Sequence, residues 1–526
     1  MREPAAPTTW RCASATRETA FVSRAPCSAP TTARSRRMLL GLDLGTAGVK
    51  ALLVQPSGHV VARAQHPVRL LHPGGAAVEQ DIEEIWSAVR EALAELSRRA
   101  GLSRVRAVGV SSQGGALLPL DGSGRPAGRV ISWLDGRGAP YDRAATESLG
   151  PGWFAERVGH GGSGVALGQL LRLRQERPEA LHCPNGIGFV GDEIVKRLCG
   201  VRAHDPTSLS IAGLLNPRLS AADPDVLRMV GLREDQLPAL LPAHRPAGAL
   251  RAEAARQVGL PAGIPVSPAV HDQYAAALGS GVVHPGDAMV GAGTAWVLLA
   301  AQQALTQPVT AAAFVAPHLV EGLYGQMLSM VNGGSSFAWV QALVGLDRAS
   351  AEQVDALMEA VPAGSDGVRF WPFLACGGGA GLAPDLAGRL FGLRLEHDRR
   401  HLLRAAAEGL CLELARHLRM LTSAGLPIGR LVICGGAARS RVTPAILADV
   451  AGIPVARCRE ADTSALGAAM IARALADERR DLAAIAREMA SVAEPVGPGP
   501  DAAQYGRLLE EYLSSLPPAG DRGPAP

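Results

Sequence analysis

The sequence predicts an α/β protein made of two related domains that face each other across a cleft. Two observations carry that prediction. After Met38, apolar strands alternate with an amphipathic helix, the pattern of a sheet with helices on its faces. A Gly-Thr-Ala turn at residues 45–47, bent between apolar strands, recurs in the same setting at residues 293–295, about half a chain later. With 526 residues, 47% of them hydrophobic, and 61 Gly and 38 Pro, the chain can bury more than one core and is rich in turns.

Residues 38–43 are an apolar strand ending in Asp43. Gly45-Thr46-Ala47-Gly48 turn, residues 49–54 return with Lys50 among them, Pro56-Ser57-Gly58 turn again, and residues 60–64 follow as a third strand. Ile82, Ile85, Trp86, Val89, Leu93 and Leu96 recur at helical spacing, with Asp81 and Glu84 as a capping pair before them and Gly101 as the stop. A strand over 105–110 leads into the loop Ser111-Ser112-Gln113-Gly114-Gly115. Further on, a strand at 264–266 and a helical stretch at 274–278 put Asp272 at a strand-to-helix corner. Residues 288–290 and 296–301 flank the second Gly-Thr-Ala turn. Residues 431–434 enter a Gly-rich loop at 435–440, after which Thr443-Pro444 open a helix closed by Gly452. Asp462-Thr463 begin a helix whose Ala465, Gly467, Ala468 and Ala469 suit close approach by another backbone. A short amphipathic piece at 508–513 precedes a Pro/Gly-rich end expected to be mobile.

Residues 1–37 stand apart: rich in Ala, Arg, Ser and Thr, with Glu3 and Glu18 their only acids and no apolar stretch of a secretory signal. A transit peptide has such a composition, but an upstream-extended translation start, with the chain proper beginning at Met38, is the favoured reading; either way the segment is expected to be disordered. The chain's 52 Lys+Arg against 49 Asp+Glu leave a formal +3, so no overall field draws nucleic acid or an anionic membrane. The longest apolar run, 289–301, is too short to span a bilayer. The eight Cys form no C-x-x-C pair and no zinc spacing, consistent with reduced thiols in the cytoplasm.

Three Gly-rich turns, each after an apolar strand, are the candidate chemistry. Glycine lets backbone N–H groups converge on an anion, and Thr46 and Thr294 add hydroxyls. One such turn alone is more often a plain hairpin; three across two domains favour a nucleotide. None is a Walker loop. Asp43, beside such a cradle, calls for Mg²⁺ between carboxylate and phosphate, or makes an ordinary turn hydrogen bond. Lys50 could neutralise phosphate or simply be solvated. Asp272 could accept a proton from a hydroxyl, although spacing alone favours a helix cap, and His271 reads as a packing histidine. Trp133, Asp135 and Arg137, at alternating positions of one strand, would face the same side, either as a sugar platform or as an ion pair beside a core Trp.

In this order the motifs resemble the FGGY carbohydrate kinases of the actin/Hsp70/sugar-kinase superfamily, nearest the xylulokinase-like branch. The likeness runs from Met38 to Ala476 and takes in the first hairpin, Glu79-Gln80-Asp81, Trp133-x-Asp135-x-Arg137, Asp272-Gln273, Gly293-Thr294-Ala295, Phe391-Gly392-Leu393 and the 435–440 loop. It implies two ribonuclease-H-like domains with an ATP/sugar cleft between them: 38–283 for sugar and base, 284–480 for nucleotide, then a helical tail and mobile end over 481–526. It makes Asp272 the general base and Asp43 the organiser of Mg²⁺. Gly45, Thr46, Lys50, Gly293, Thr294, Gly435, Gly436, Ala437 and Ser440 fall to the nucleotide, and Gln113, Gly114, Trp133, Asp135, Arg137 and Gln273 to the sugar. The implied reaction is ATP-dependent phosphorylation of a terminal hydroxyl of a small sugar, a ketopentose such as xylulose. The alternatives are another polyol, ketose or aldonate, or a non-catalytic ATP-binding sensor. The expected partner is thus a small sugar or polyol, with no nucleic acid and no membrane, and a homodimer is compatible with it. Three departures touch the pocket and its surroundings. Xylulokinases commonly carry Met-His where Gly114 and Gly115 stand, the stretch 374–383 with Cys376-Gly377-Gly378-Gly379 lacks the usual Glu-Arg-x-Pro, and Val442 and Thr443 replace an aromatic residue and Asn.

Overall fold

Near-continuous apolar runs suit strands covered on both faces, and the first hairpin is one. In the computed structural model, which describes residues 37–162, 164–375, 381–383 and 385–517, β1 (Met38–Gly45) and β2 (Gly48–Val54) pair antiparallel with Gly45 opposite Gly48. The leader of residues 1–36, the Cys376–Gly379 run and the end beyond 517 lie outside the described residues. β3 (Val60–Pro67) extends the hairpin antiparallel. After α1 (Ile82–Ala100), β4 (Val105–Ser112) joins β1 in parallel, and β5 (Pro265–His271) joins β4 in parallel and runs straight into α2 (Asp272–Gly279). The central order is therefore β3-β2-β1-β4-β5.

The same order is then written again. β6 (Asp287–Ala292), β7 (Trp296–Gln302) and β8 (Tyr324–Met330) are successively antiparallel. Three helices follow, α3 (Gly334–Leu343), α4 (Ala351–Glu359) and α5 (Arg399–Ser423). β9 (Arg430–Gly435), α6 (Val442–Ala451) and β10 (Val455–Arg457) complete β8-β7-β6-β9-β10, with β9 and β10 parallel to β6. The two Gly-Thr-Ala turns are thus equivalent hairpin ends of two sheets that share one strand order, a mixed α/β architecture of two domains.

Side-chain alternation divides the core. Leu40, Leu42 and Leu44 face α1, whereas Leu39 and Leu52 face a core between the sheets that holds α2 and α7 (Thr463–Ala476). Helices α3 to α6 cover the other face of the second sheet. The small residues of α7 do what their size suggests. A Cβ at Gly41 would fall 1.9 Å from the Ala465 carbonyl oxygen, one at Gly109 1.8 Å from that of Ala468, and one at Gly467 1.9 Å from that of Ala275. Helix α7 of the second half therefore lies backbone to backbone on the first sheet and on α2.

Three local expectations change. Asp81 caps α1 through the Glu83 amide, but Glu84 is drawn away from the cap by Arg69, whose guanidinium and amide it accepts from. Helix α6 starts at Val442, earlier than Thr443-Pro444, because the Ser440 hydroxyl accepts the amides of Val442 and Thr443. The tail piece is longer than its apolar core and forms α8 (Ala502–Ser515), whose Tyr505, Leu508, Leu509 and Tyr512 pack on the second domain. Among the described residues no helix is long and apolar enough to cross a membrane. The described cysteines are unpaired, and all but Cys183 are buried.

Gly467→Val should destabilise the protein by about 3 kcal/mol or more, because backbone, not a flexible side chain, stands in the way. Gly497→Ala, with nothing within 4 Å of its Cβ, should change stability by less than about 0.5 kcal/mol. Chemical denaturation of both variants checks the pair, and similar midpoints would show that α7 is not closely packed.

Candidate active site

Parallel strands that end together present their last side chains along one edge of the sheet. β1, β4 and β5 do this: Asp43 stands beside Ser111, and Ser112 beside His271. Asp43, at the end of β1, and Asp272, the first residue of α2, are gathered on either side of β4. Burial, then repulsion by Asp272, pushes Asp43 up to about 6, although the Ser111 hydroxyl donates to it at 2.7 Å and Lys50 opposes the rise. Burial likewise raises Asp272 to about 6, against bonds from the Gln273 amide and side chain and the charge of Lys50. The helix-cap reading of Asp272 is not what forms. His271 takes the N-cap position, and the Asp272 carboxylate sits inside the first turn.

Lys50 faces Asp43 across the hairpin register. Its ammonium lies 3.0 Å from Asp462, just ahead of α7, so it already holds a carboxylate of the second half. Burial works against its charge, but Asp462, Asp43 and Asp272 together outweigh that and raise its pKa. Arg63 also reaches this corner, bonding Glu460 at 3.0 Å.

The first turn is braced by amides. Thr46 Oγ1 donates to Gln113 Oε1 at 3.1 Å and accepts from the Trp133 indole N–H at 2.8 Å, while Gln80 bonds the Thr46 carbonyl and accepts from Gln113. Gly114 follows Gln113 and packs against Ile211 and His271; Gly115 has φ +72°, a left-handed conformation that disfavours any side chain there.

The segment carrying Trp133, Asp135 and Arg137 is not a strand. It follows the two-residue strand Val130–Ile131 as a loop and a 3₁₀ turn over Gly136–Gly138. Alternation there comes from a turn whose Asp135 accepts the Arg137 and Val78 amides. Asp135 is buried and also bonds the Arg137 guanidinium and Gln169, and Arg137 reaches on to Glu79 at 2.8 Å. Burial alone would raise the Asp135 pKa, but Arg137 outweighs it and lowers it. Asp135 and Arg137 are thus ion-paired, the Asp135 side chain fully buried, while Arg137 stays partly exposed and Trp133 half-exposed beside it.

The second turn opens into a cavity of about 550 Å³ lined by Gly293, Thr294, Gly436, Ala437 and Ser440, with Phe337, Val354, Met358 and Leu410 as its apolar walls. The carbonyls of Gly293 and Thr294 accept the first amides of α3, which fixes the turn against that helix. Gly435, at φ +82°, lies beneath the turn, where a Cβ would meet the Ala292 carbonyl at 2.9 Å. Asp355 holds the loop, accepting from the Ser440 hydroxyl at 2.6 Å and the Arg441 amide at 2.7 Å. Gln273 Oε1 lies 3.2 Å from where a Cβ on Gly291 would stand, so the start of α2 packs against the second hairpin. Sequence reading missed Asp355 and Ser111 as participants and read Asp462 only as a helix start. Their roles depend on partners far away in the chain.

Among the described residues no group of three or more His, Cys, Asp or Glu is placed to hold a metal. Two mutually repelling carboxylates, Asp43 and Asp272, fit a cation bound sparsely through carboxylate, water and ligand phosphate, which is how Mg²⁺ is commonly held.

Known proteins are similar to this chain over most of its length. The N-terminal domain model of the FGGY family of carbohydrate kinases matches residues 38–279, and the C-terminal domain model matches residues 288–476. The xylulose kinase of Escherichia coli (strain K12) is 29% identical over 85% of this chain and 91% of its own. The glycerol kinase of Gloeobacter violaceus is 30% identical over 82% and 87%. The solved xylulose kinase of Rhodospirillum rubrum superposes with a TM-score of 0.79 at 28% identity, over 91% of this chain and 98% of its own.

A raised carboxylate pKa stabilises the folded state below the unfolded value near 4, and that contribution is lost as pH rises through about 6. Asp43→Asn, which keeps an acceptor for Ser111, should therefore raise stability at pH 7.5 by about 1–2 kcal/mol, the gain fading as pH falls from about 6 to about 4. Denaturation across pH measures it, and a less stable variant at pH 7.5 would contradict the repulsion between the two carboxylates.

Proposed function

The chain belongs to the FGGY family of carbohydrate kinases, and from that premise we propose that it transfers the γ-phosphoryl group of ATP to a terminal hydroxyl of a ketopentose such as xylulose, with Asp272 as general base. The observation that carries the base assignment is the place of Asp272, directly after β5 and across β4 from Asp43, with Gln273 packed against the second hairpin. The domains divide the work, 38–283 holding the sugar and the base and 284–480 the nucleotide. Similarity to xylulose kinases over both domains supports the pentulose. The glycerol kinase of similar identity keeps polyols in view, as does a gluconokinase of Bacillus subtilis (strain 168) for aldonates.

The apolar walls of the 550 Å³ cavity suit the faces of a purine, with Gly436 and Ala437 leaving room for the adenosine. Backbone amides of the Gly45–Thr46 and Gly293–Thr294 turns point the triphosphate along the cleft, and Lys50 adds positive charge beside it. Asp43 would hold Mg²⁺, which when bound neutralises charge on the phosphate oxygens. Asp272 takes the proton as the sugar oxygen bonds to the γ-phosphorus, and the bond from that phosphorus to the bridging oxygen breaks to release ADP. A base with its pKa near 6 is ionised at neutral pH yet a better proton acceptor than an ordinary carboxylate. Trp133, over Thr46, offers its free face to the sugar, and Gln113 and Gly114 flank it. A cytoplasmic site fits the unpaired cysteines.

ATP consumption against a panel of pentuloses, polyols and aldonates, with the product identified, tests the reading. The largest kcat/KM is expected for a pentulose, and no stimulation by any acceptor would contradict kinase activity on a sugar. Asp272→Asn should keep ATP binding and lose about 10²–10⁴-fold in kcat. In the wild type, kcat/KM should fall about tenfold per pH unit below about 6, as Asp272 takes up its proton.

A further inference from the structure

Gly114 and His271 meet across the strand ends. A Cβ built on Gly114 would lie 2.7 Å from His271 Cδ2, 2.8 Å from its Nε2 and 2.5 Å from Ile211 Cγ2. The imidazole therefore fills the volume that a side chain at position 114 would take. The ring is buried, and its Nε2 lies 3.2 Å from Asp272 Oδ1. Its Nδ1 is buried without a partner. The backbone amide of His271 donates to the Thr207 hydroxyl at 3.0 Å, which fixes the N-cap from which the ring projects.

We propose that His271 is a positioning residue for phosphoryl transfer, its Nε2–H holding the Asp272 carboxylate toward the acceptor while its ring closes the pocket on the side that Gly114 leaves open. Burial keeps the ring neutral, well below the usual imidazole range, so it orients Asp272 as a dipole and leaves the carboxylate basic. With the donor on Nε2, the orphan on Nδ1 is an acceptor, the less costly kind of buried vacancy. The ring also sets acceptor size. A larger residue at 114 and the imidazole at 271 exclude each other, so this volume is filled from the β5 end and not from the Gln113 loop.

The inference rests on Asp272 being the base, and one set of variants separates the two claims. With the preferred acceptor, His271→Leu, similar in bulk but without a donor, should lower kcat about 10-fold or more at unchanged KM for ATP. His271→Gln, which returns an amide N–H near the Nε2 position, should recover most of that loss. Gly114→Ala should lower kcat about 10-fold because its methyl displaces the ring, and adding His271→Ala to it should cost less than the two changes multiplied together. ATP binding and thermal midpoints, measured in parallel, show that each variant is folded. If Asp272→Asn is inactive while folded His271→Leu keeps its kcat, or if Gly114→Ala and His271→Ala multiply independently, this inference is overturned and the base stands. If Asp272→Asn itself turns over normally, the base assignment falls and takes this inference with it.

Discussion

Two carboxylates forced into one buried strand edge set the terms for everything around them. Asp43 and Asp272 are there because β1, β4 and β5 run parallel and stop together, and neither can be ionised cheaply beside the other. Their neighbours temper this without removing it: Ser111 bonds Asp43, Gln273 bonds Asp272, and Lys50 sits opposite while already committed to Asp462. Folding alone gains nothing from such a pair. A cation held between the two carboxylates would offset their repulsion.

That edge is useful only if the second sheet is held against it, and glycine does the holding. Helix α7 lies so close to β1, β4 and α2 that Gly41, Gly109, Gly279 and Gly467 leave no space for a methyl. The same helix follows directly on Asp462, the partner of Lys50. Packing of the two halves and charge placement in the cleft are therefore one structural feature, and a shift of α7 would move Asp462 relative to Asp43.

Much of this was legible in the chain. The twin Gly-Thr-Ala hairpins, the small-residue helix, the Gly435–Ser440 loop and the corner at Asp272 are local patterns, written in contiguous residues, and each emerged where its pattern put it. What stayed hidden is whatever depends on a partner remote in sequence. Asp355 is one carboxylate of an amphipathic helix until Ser440 and Arg441 fold onto it. Asp462 looks like a helix start until Lys50 arrives. Trp133, Asp135 and Arg137 stand in a turn and not on a strand, because period-two spacing is shared by strands and by a turn in which an aspartate accepts the amide two residues on. His271 and Gly114 each look unremarkable alone; only their contact shows that one is small because the other is large.

The chain's membership of a kinase family leaves one claim at the centre: a single carboxylate at the β5 end faces the acceptor while both glycine turns hold the phosphates. A crystal structure with a non-hydrolysable ATP analogue and the acceptor found by turnover tests this most directly. The account predicts the reacting hydroxyl within about 3.2 Å of an Asp272 oxygen, the adenine between α4 and the Gly436–Ala437 loop, and the phosphates strung from Thr294 to Thr46. An acceptor bound away from Asp272, or a triphosphate that bypasses either turn, would contradict it.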